Sequence, residues 1–182
     1  MKNNVNISIC TIDKENVVLI QFEKSSDMGA IGVAEGKRIT FAFDYATKME
    51  LPVVAVVSSC GMRVQEGTLA LMQMAKIILA LKQHSDKGLL YIAIVIGHAL
   101  GGASASLVSL ADIIIAESTS LYGFTGKRII EQTIHQKLSD NFQTAEYAKQ
   151  YGMVDIVTNK NEIKGVLTKL LQLHSGRITN EK

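Results

Sequence analysis

The stretch LPVVAVVSSCGMRVQEG, residues 51–67, indicates the fold class of this chain. Its first seven residues form a continuous apolar run rich in valine, which is typical of a strand buried on both faces. Small residues and a glycine follow, and a helical pattern then runs from about residue 64 to residue 83. A buried strand, a turn of small residues and a helix together predict an α/β fold with largely parallel strands.

The same layout occurs a second time along the chain. Residues 90–96 form another apolar run, GHALGG follows at 97–102, and a helix of small residues is predicted at 103–110. Backbone amides at such strand-to-helix turns can hold an anion, or a carbonyl that is becoming one. We therefore expect Cys60-Gly61 and Gly101-Gly102 to line one pocket, although glycines at these positions could also serve only to make tight turns.

The remaining pattern predicts further alternating strands and helices within one domain spanning residues 1–182. A glycine-bearing irregular segment is expected at 25–36, and the polar tail at 175–182 is expected to fray. The other predicted strands are 5–12, 17–22, 112–116 and 153–157, and the other predicted helices are 35–49, 127–138, 144–150 and 163–173.

Composition excludes several classes of function. The net charge of +2 comes from mixed signs with no run of five like charges, so neither nucleic acid nor a membrane surface is an expected partner. The apolar helical stretch at 69–81 is too short to span a bilayer. Cys10 and Cys60 lack metal-ligand spacing, so we expect no zinc, and the chain is predicted to be cytoplasmic.

Several side chains near the turns are candidates for chemistry. The sequence GASAS around Ser104 approaches the nucleophile motif G-x-S-x-G, for which His84, His98 or His135 could supply a base. Small serines at the start of a buried helix are, however, usually packing residues. Cys60 is either a reactive thiol or a small core residue.

Three cations, Arg63, Lys127 and Arg128, lie nearest to the glycine turns in sequence. Each is either part of a binding site or part of a solvated face. The chain has no G-x-x-x-x-G-K-[ST] and no G-x-G-x-x-G, which argues against nucleotide-phosphate chemistry of those kinds.

Taken together, several motifs resemble the β-subunit family of acetyl-CoA carboxylase carboxyltransferase, within the crotonase superfamily. The resemblance covers about residues 25–173 and implies a crotonase-like spiral of ββα units with parallel strands and a C-terminal helical region. The motifs, in chain order, are RVQEGTLALMQMAK (63–76), GGASAS (101–106), DIIIAE (112–117), GFTGKRIIEQT (123–133) and FQTAEYAKQYGMVD (142–155).

The resemblance also implies an activity. A carboxyl group would pass from carboxybiotin, held on a separate biotin carboxyl carrier protein, to acetyl-CoA, giving malonyl-CoA. Backbone amides at Cys60, Gly61, Gly101 and Gly102 would stabilise the enolate. An α-like subunit would complete the site in an oligomeric complex. By the same resemblance, the candidates for CoA binding are Arg63, Lys127 and Arg128.

The chain departs from the family pattern at identifiable positions. The family sequence S-G-G-A-R carries Cys60 in place of its first glycine, and D-P-T is replaced by Gly97-His98-Ala99. No four-cysteine zinc ribbon is present. We therefore expect a shortened, divergent member, for example in polyketide or antibiotic synthesis. Cysteine tolerates a positive φ poorly, so Cys60 raises the question of whether the first turn is intact.

Three alternative functions remain open from the sequence. One is another crotonase-type reaction on an acyl-CoA, either a decarboxylation or a hydration that uses Glu66 or Glu117. Another is a catalytically silent assembly subunit, which the substitution at Cys60 favours. The third is a serine hydrolase acting through Ser104.

Overall fold

A computed structural model describes residues 4–23 and 27–175 of the chain. Within these residues, seven strands form one sheet of order β1-β2-β3-β4-β5-β7, with the short strand β6 paired to β4. The first pair, β1 with β2, is antiparallel, and the other pairings are parallel. The strands are β1 (Val5–Ile12), β2 (Glu15–Phe22), β3 (Val53–Ser59), β4 (Tyr91–Ala99), β5 (Ile113–Glu117), β6 (Leu121–Tyr122) and β7 (Ile156–Thr158).

In the described part of the chain, six α-helices connect and flank the strands. The glycine turns lie at the carboxyl ends of two neighbouring parallel strands, β3 and β4, which is where open α/β sheets commonly bind ligands. The helices are α1 (Val33–Met49), α2 (Thr68–Asp86), α3 (Gly101–Ser106), α4 (Lys127–Ile134), α5 (Ala145–Gln150) and α6 (Ile163–His174).

Side chains on the two faces of the sheet enter different apolar clusters. From β3, Val53, Ala55 and Val57 pack in the larger cluster with residues of α1 and α2, while Val54 packs on the opposite face with Leu167 and Leu171 of α6. This arrangement explains the continuous apolar run at 51–57, because alternate side chains of a strand point to opposite faces. The predicted double burial of this strand is confirmed.

The predicted α/β class is confirmed, and the differences are local. The strand at 90–96 continues to Ala99 through Gly97, whose φ is +77°, and the register against β3 shifts between Val57 and Ser59.

The helix predicted from 64 begins with a 3-10 turn at Val64–Glu66, before α2 starts at Thr68. The helix predicted at 127–138 ends at Ile134, since His135 adopts the left-handed conformation. Strand β6 was not predicted, and residues 25, 26 and 176–182 of the predicted irregular segments lie outside the described residues.

The helices over the described part of the chain include none that is long and apolar enough to cross a bilayer.

Candidate active site

The two glycine turns lie against each other, as the repeated sequence layout predicts. A Cβ atom built on Gly61 would come within 2.8 Å of the amide nitrogen of Gly102, and one built on Gly101 would come within 2.9 Å of the carbonyl oxygen of Cys60. The amide of Leu100 also donates to the carbonyl of Ser59 at 2.9 Å. The turns after β3 and β4 therefore form one contiguous unit.

Most of the amides expected to stabilise an enolate are occupied within the chain. The amide of Cys60 donates to the carbonyl of Met28 at 3.0 Å, and that of Gly101 donates to the carbonyl of Phe124 at 2.8 Å. The amide of Gly61 lies 3.2 Å from the hydroxyl oxygen of Ser59. These three residues therefore shape the turns with their backbone, and their N–H groups are engaged.

Two amides at the junction of the turns have no protein acceptor among residues 4–23 and 27–175. They belong to Met62 and Gly102. Gly102 lies in the first turn of α3, where helical amides have no partner within the helix. The amide nitrogen of Met62 lies 3.8 Å from the position that a Cβ on Gly102 would occupy. Both residues are partly exposed, and neither amide has an acceptor among the described residues.

Cys60 occupies its position without the backbone strain that its replacement of glycine suggests. Cys60 is absent from the positive-φ residues of the described chain, whereas Gly61 has a φ of +108°. The glycine required by the turn is therefore the second of the family pair, and it is present. The Cys60 thiol lies 3.6 Å from the carbonyl oxygen of Asp27, and burial, with a smaller contribution from the Asp27 charge, raises its pKa.

Arg63 has contacts that differ from those of a ligand for CoA phosphates. Its side chain is only 2% exposed and forms ion pairs with three carboxylates. Hydrogen bonds to Glu35 are the main cause of the raised pKa of Arg63. Every guanidinium nitrogen of Arg63 already donates within the chain. The partners and distances are Glu35 at 2.8 Å, Glu66 at 2.8 Å and Asp27 at 2.9 Å.

The carboxylates around Arg63 also hold backbone amides. Glu35 accepts from the amide of Gly32 at 3.0 Å, and Glu66 accepts from the amide of Val33 at 2.7 Å. Burial alone would raise the pKa of Glu35, but hydrogen bonds from Arg63 and from backbone amides lower it overall. The pKa of Glu66 is lowered by the Val33 amide and then by Arg63. The carboxylate of Glu66 therefore already accepts hydrogen bonds from the Val33 amide and from Arg63.

Lys127 and Arg128 begin α4, shortly after a segment that is hydrogen-bonded to the second glycine turn. Besides the bond from Gly101 to Phe124, the amide of Gly123 donates to the carbonyl of Ala99 at 3.1 Å, which joins the segment before α4 to this turn. Lys127 donates to the carbonyl of Ser139 at 2.7 Å. Arg128 is exposed, and no hydrogen bond or ion pair joins it to another described residue.

Ser104 lacks the contacts of an activated nucleophile. Its side chain is 4% exposed, and its hydroxyl donates to the carbonyl of Gly101 at 2.8 Å. The imidazole of His84 is buried between Thr47 and the carbonyl of Leu90, and burial lowers its pKa. His98 contacts the carbonyl of Met28. The hydroxyl hydrogen of Ser104 is thus bonded to the α3 backbone, as is typical of a packing residue.

Two cavities lie away from the glycine turns. One, of about 630 Å³, is lined by residues near the amino ends of the parallel strands, such as Leu51, Leu90 and Asp112. The other, of about 500 Å³, lies between β1 and α1, beside Ile9 and Phe41. Over the described residues, no group of three or more His, Cys, Asp or Glu side chains is placed to hold a metal ion.

Comparison with known proteins identifies relatives of this chain. Residues 5–173 match the model of the carboxyl transferase domain. The chain is 43% identical over 174 residues to the acetyl-coenzyme A carboxylase carboxyl transferase subunit beta of Prochlorococcus marinus subsp. pastoris, covering 96% of this chain and 60% of that protein. It is 45% identical over 160 residues to the corresponding subunit of Clostridium novyi, covering 88% of this chain and 56% of that subunit.

Solved structures agree on the fold. A transcarboxylase 12S structure, determined with methylmalonyl-coenzyme A and methylmalonic acid bound, superposes with a TM-score of 0.86 at 25% identity, covering 93% of this chain and 33% of that one. A Pseudomonas malonate decarboxylase hetero-dimer superposes with a TM-score of 0.82 at 18% identity, covering 95% of this chain and 78% of that one. The crotonase-like fold implied by the sequence motifs is therefore confirmed.

The chain spans about 60% of the length of the curated relatives it matches. Since the domain match runs almost from one end of the sequence to the other, and the paired turns lie inside it, the chain belongs to the carboxyl transferase domain family.

Proposed function

We propose that this chain is the β-like component of a biotin-dependent acetyl-CoA carboxyltransferase and that it stabilises the enolate of the acyl thioester. The observation that carries the proposal is the pair of unpaired amides, Met62 and Gly102, at the junction of the turns. Membership of the carboxyl transferase domain family supplies the reaction class.

The geometry suits a reaction in which charge develops on a carbonyl oxygen. When the methyl group of acetyl-CoA loses a proton, the electron pair moves onto the thioester oxygen. Two N–H groups aimed at that oxygen stabilise the charge without having to reorganise, since the backbone already fixes them. The enolate carbon would then bond to the carboxyl carbon of carboxybiotin as its N–C bond breaks, and the biotin nitrogen released by that break would take up the proton lost by the methyl group, which gives malonyl-CoA and biotin. The same amides would serve the reverse reaction.

We infer that the amide donors are Met62 and Gly102, while Cys60, Gly61 and Gly101 shape the site. Gly61 allows the two turns to approach, because any Cβ there would cover the Gly102 amide. Cys60 fits the turn at a φ outside the left-handed region, which removes the strain that favoured a silent subunit. The first turn is therefore compatible with activity.

The carboxyl donor and the remainder of the site are proposed to come from other proteins. An α-like carboxyltransferase subunit would complete the site, and a biotin carboxyl carrier protein would deliver the carboxyl group. Exposed apolar side chains beside the second turn, Leu121, Phe124 and Ile129, are 42%, 64% and 60% exposed and are suited to contact such a subunit.

Reconstitution tests this proposed function. The chain alone should bind acyl-CoA weakly and show no turnover, whereas the chain mixed with an α-type subunit and a biotinylated carrier should carboxylate acetyl-CoA. The reverse reaction, decarboxylation of malonyl-CoA in the presence of biotin, gives a second readout. Absence of transfer in both directions from a purified, assembled complex would reject the proposal in favour of an assembly role.

Arg128 is proposed as the CoA-facing cation, because its side chain is exposed and it lies four residues after Phe124, whose carbonyl accepts from the second turn. Arg128→Ala should raise KM for acyl-CoA about two- to fivefold with little change in kcat, as expected for one exposed charge pair. The effect should shrink as salt is raised. Lys164→Ala, at an exposed cation on α6, is the matched control. An equal KM for both variants would remove Arg128 from the site.

A further inference from the structure

Arg63 joins two segments that are far apart in sequence. Its guanidinium donates to the carbonyl of Ala30 at 3.2 Å as well as to the three carboxylates. Through Glu35 and Glu66, the network also holds the amides of Gly32 and Val33. The backbone of segment 30–33 is therefore held against the turn at 60–66 by the side chains of Arg63, Glu35 and Glu66.

The same two segments are joined by backbone hydrogen bonds around Met62. The amide of Ile31 donates to the carbonyl of Gly61, and the amide of Arg63 donates to the carbonyl of Ile31, both at 2.8 Å. This pattern is a parallel bridge between Ile31 and Met62. In such a bridge the N–H of the central residue, Met62, points away from the paired segment. The bridge thus turns the Met62 amide away from the segment at 30–33, and its nitrogen lies 3.8 Å from the position that a Cβ on Gly102 would occupy.

Stability alone does not account for the composition of this network. Its two central members, Arg63 and Glu35, are 2% and 1% exposed, and ion pairs so deeply buried are often no more stabilising than apolar residues of similar volume. Arg63 serves three carboxylates with its planar fork of donors, an arrangement that fixes geometry in several directions at once. The network is better suited to orienting the backbone than to adding stability.

We propose that Arg63 is a positioning residue which, together with Asp27, Glu35 and Glu66, fixes the direction of the Met62 amide in the active site. This inference rests on the proposed function, because the Met62 amide is one of the two donors assigned to the enolate oxygen. A misplacement of about 1 Å in a catalytic group can cost about 100-fold in rate. The effect should therefore fall on kcat.

The test uses variants of the assembled carboxyltransferase complex. In Arg63→Met combined with Glu35→Gln, both members of the buried pair become uncharged, so neither is left as an unpaired buried charge, which limits unfolding. We expect kcat to fall about 100-fold while KM for acyl-CoA changes less than about threefold. Arg63→Lys should also lose activity, since a single ammonium cannot serve three carboxylates in fixed directions. Lys82→Met, which breaks the exposed Lys82–Asp86 pair, is the matched control and should keep the wild-type kcat.

Amide hydrogen exchange provides a readout that does not depend on activity. In the double variant, exchange should rise in residues 28–34 and 58–66 and stay unchanged in β4 and the centre of α2. A uniform rise across the chain would show a purely structural role and overturn the proposal, as would an unchanged kcat in an active complex. If the wild-type complex has no activity, the proposed function fails. Independently of activity, unchanged hydrogen exchange at residues 58–66 in the double variant would overturn the positioning role of Arg63.

Discussion

Gly61→Ala is expected to destabilise the chain by several kcal/mol and to eliminate carboxyl transfer. Gly61 has a φ of +108°, which an alanine adopts only with strain of about 1–3 kcal/mol. The new Cβ would also lie 2.8 Å from the amide nitrogen of Gly102 and 3.2 Å from the carbonyl oxygen of Leu100. Because these are backbone atoms, the crowding adds about 1–3 kcal/mol and covers the Gly102 amide.

The chain offers a control that separates strain from crowding. Gly152 has a φ of +72°, and a Cβ built there meets no atom within 4 Å. Gly152→Ala should therefore show only the conformational cost, about 1–2 kcal/mol, and should retain activity. Denaturant unfolding of both variants compares the two. If Gly61→Ala is at least as stable as Gly152→Ala, the two turns are not in contact as described.

The sequence predicted the central strands well, because burial on both faces leaves a local signature. Residues 51–57 and 90–96 are continuous apolar runs, and the strands β3 and β4 contain most of both. The final residues of β4 were missed because Gly97 and His98 interrupt the apolar run. Strand β6 was missed because its two residues pair with the end of β4 and Leu121 also bridges Thr144, contacts that no local pattern signals.

The sequence predicted where the two turns of the candidate site meet, but it did not predict which backbone amides are free to donate there. Small residues and glycines after two buried strands indicate where the turns meet. They do not indicate which amides are used, since Cys60 and Gly101 donate to Met28 and Phe124, in distant segments of the chain. The Met62 amide has no signature in its side chain and was not predicted.

Arg63 was assigned to CoA binding because sequence gives a cation's position and not its partners. Two of its carboxylates, Asp27 and Glu35, lie 36 and 28 residues away along the chain. One contact of the network does follow a local pattern. Glu35, in the first turn of α1, accepts from the amide of Gly32, as in a capping box.

Gly102→Pro is the change that addresses the enolate site with the least disturbance elsewhere. Proline removes the N–H of Gly102, and its fixed φ is tolerated in the first turn of a helix. Its Cβ would meet the sulfur of Met74 at 2.8 Å, in a flexible side chain. Gly102→Ala introduces the same Cβ and keeps the N–H, so the two variants differ in the proposed donor and in the ring carbon that replaces its hydrogen.

The ratio of kcat for Gly102→Ala to kcat for Gly102→Pro, measured in the assembled complex as biotin-dependent decarboxylation of malonyl-CoA, tests the enolate site most directly. Loss of one oxyanion donor typically lowers kcat by about 10²–10³-fold. We expect Gly102→Pro to fall by that factor below Gly102→Ala, with both variants folded by circular dichroism. Equal kcat values in the two folded variants would contradict a catalytic role for the Gly102 amide.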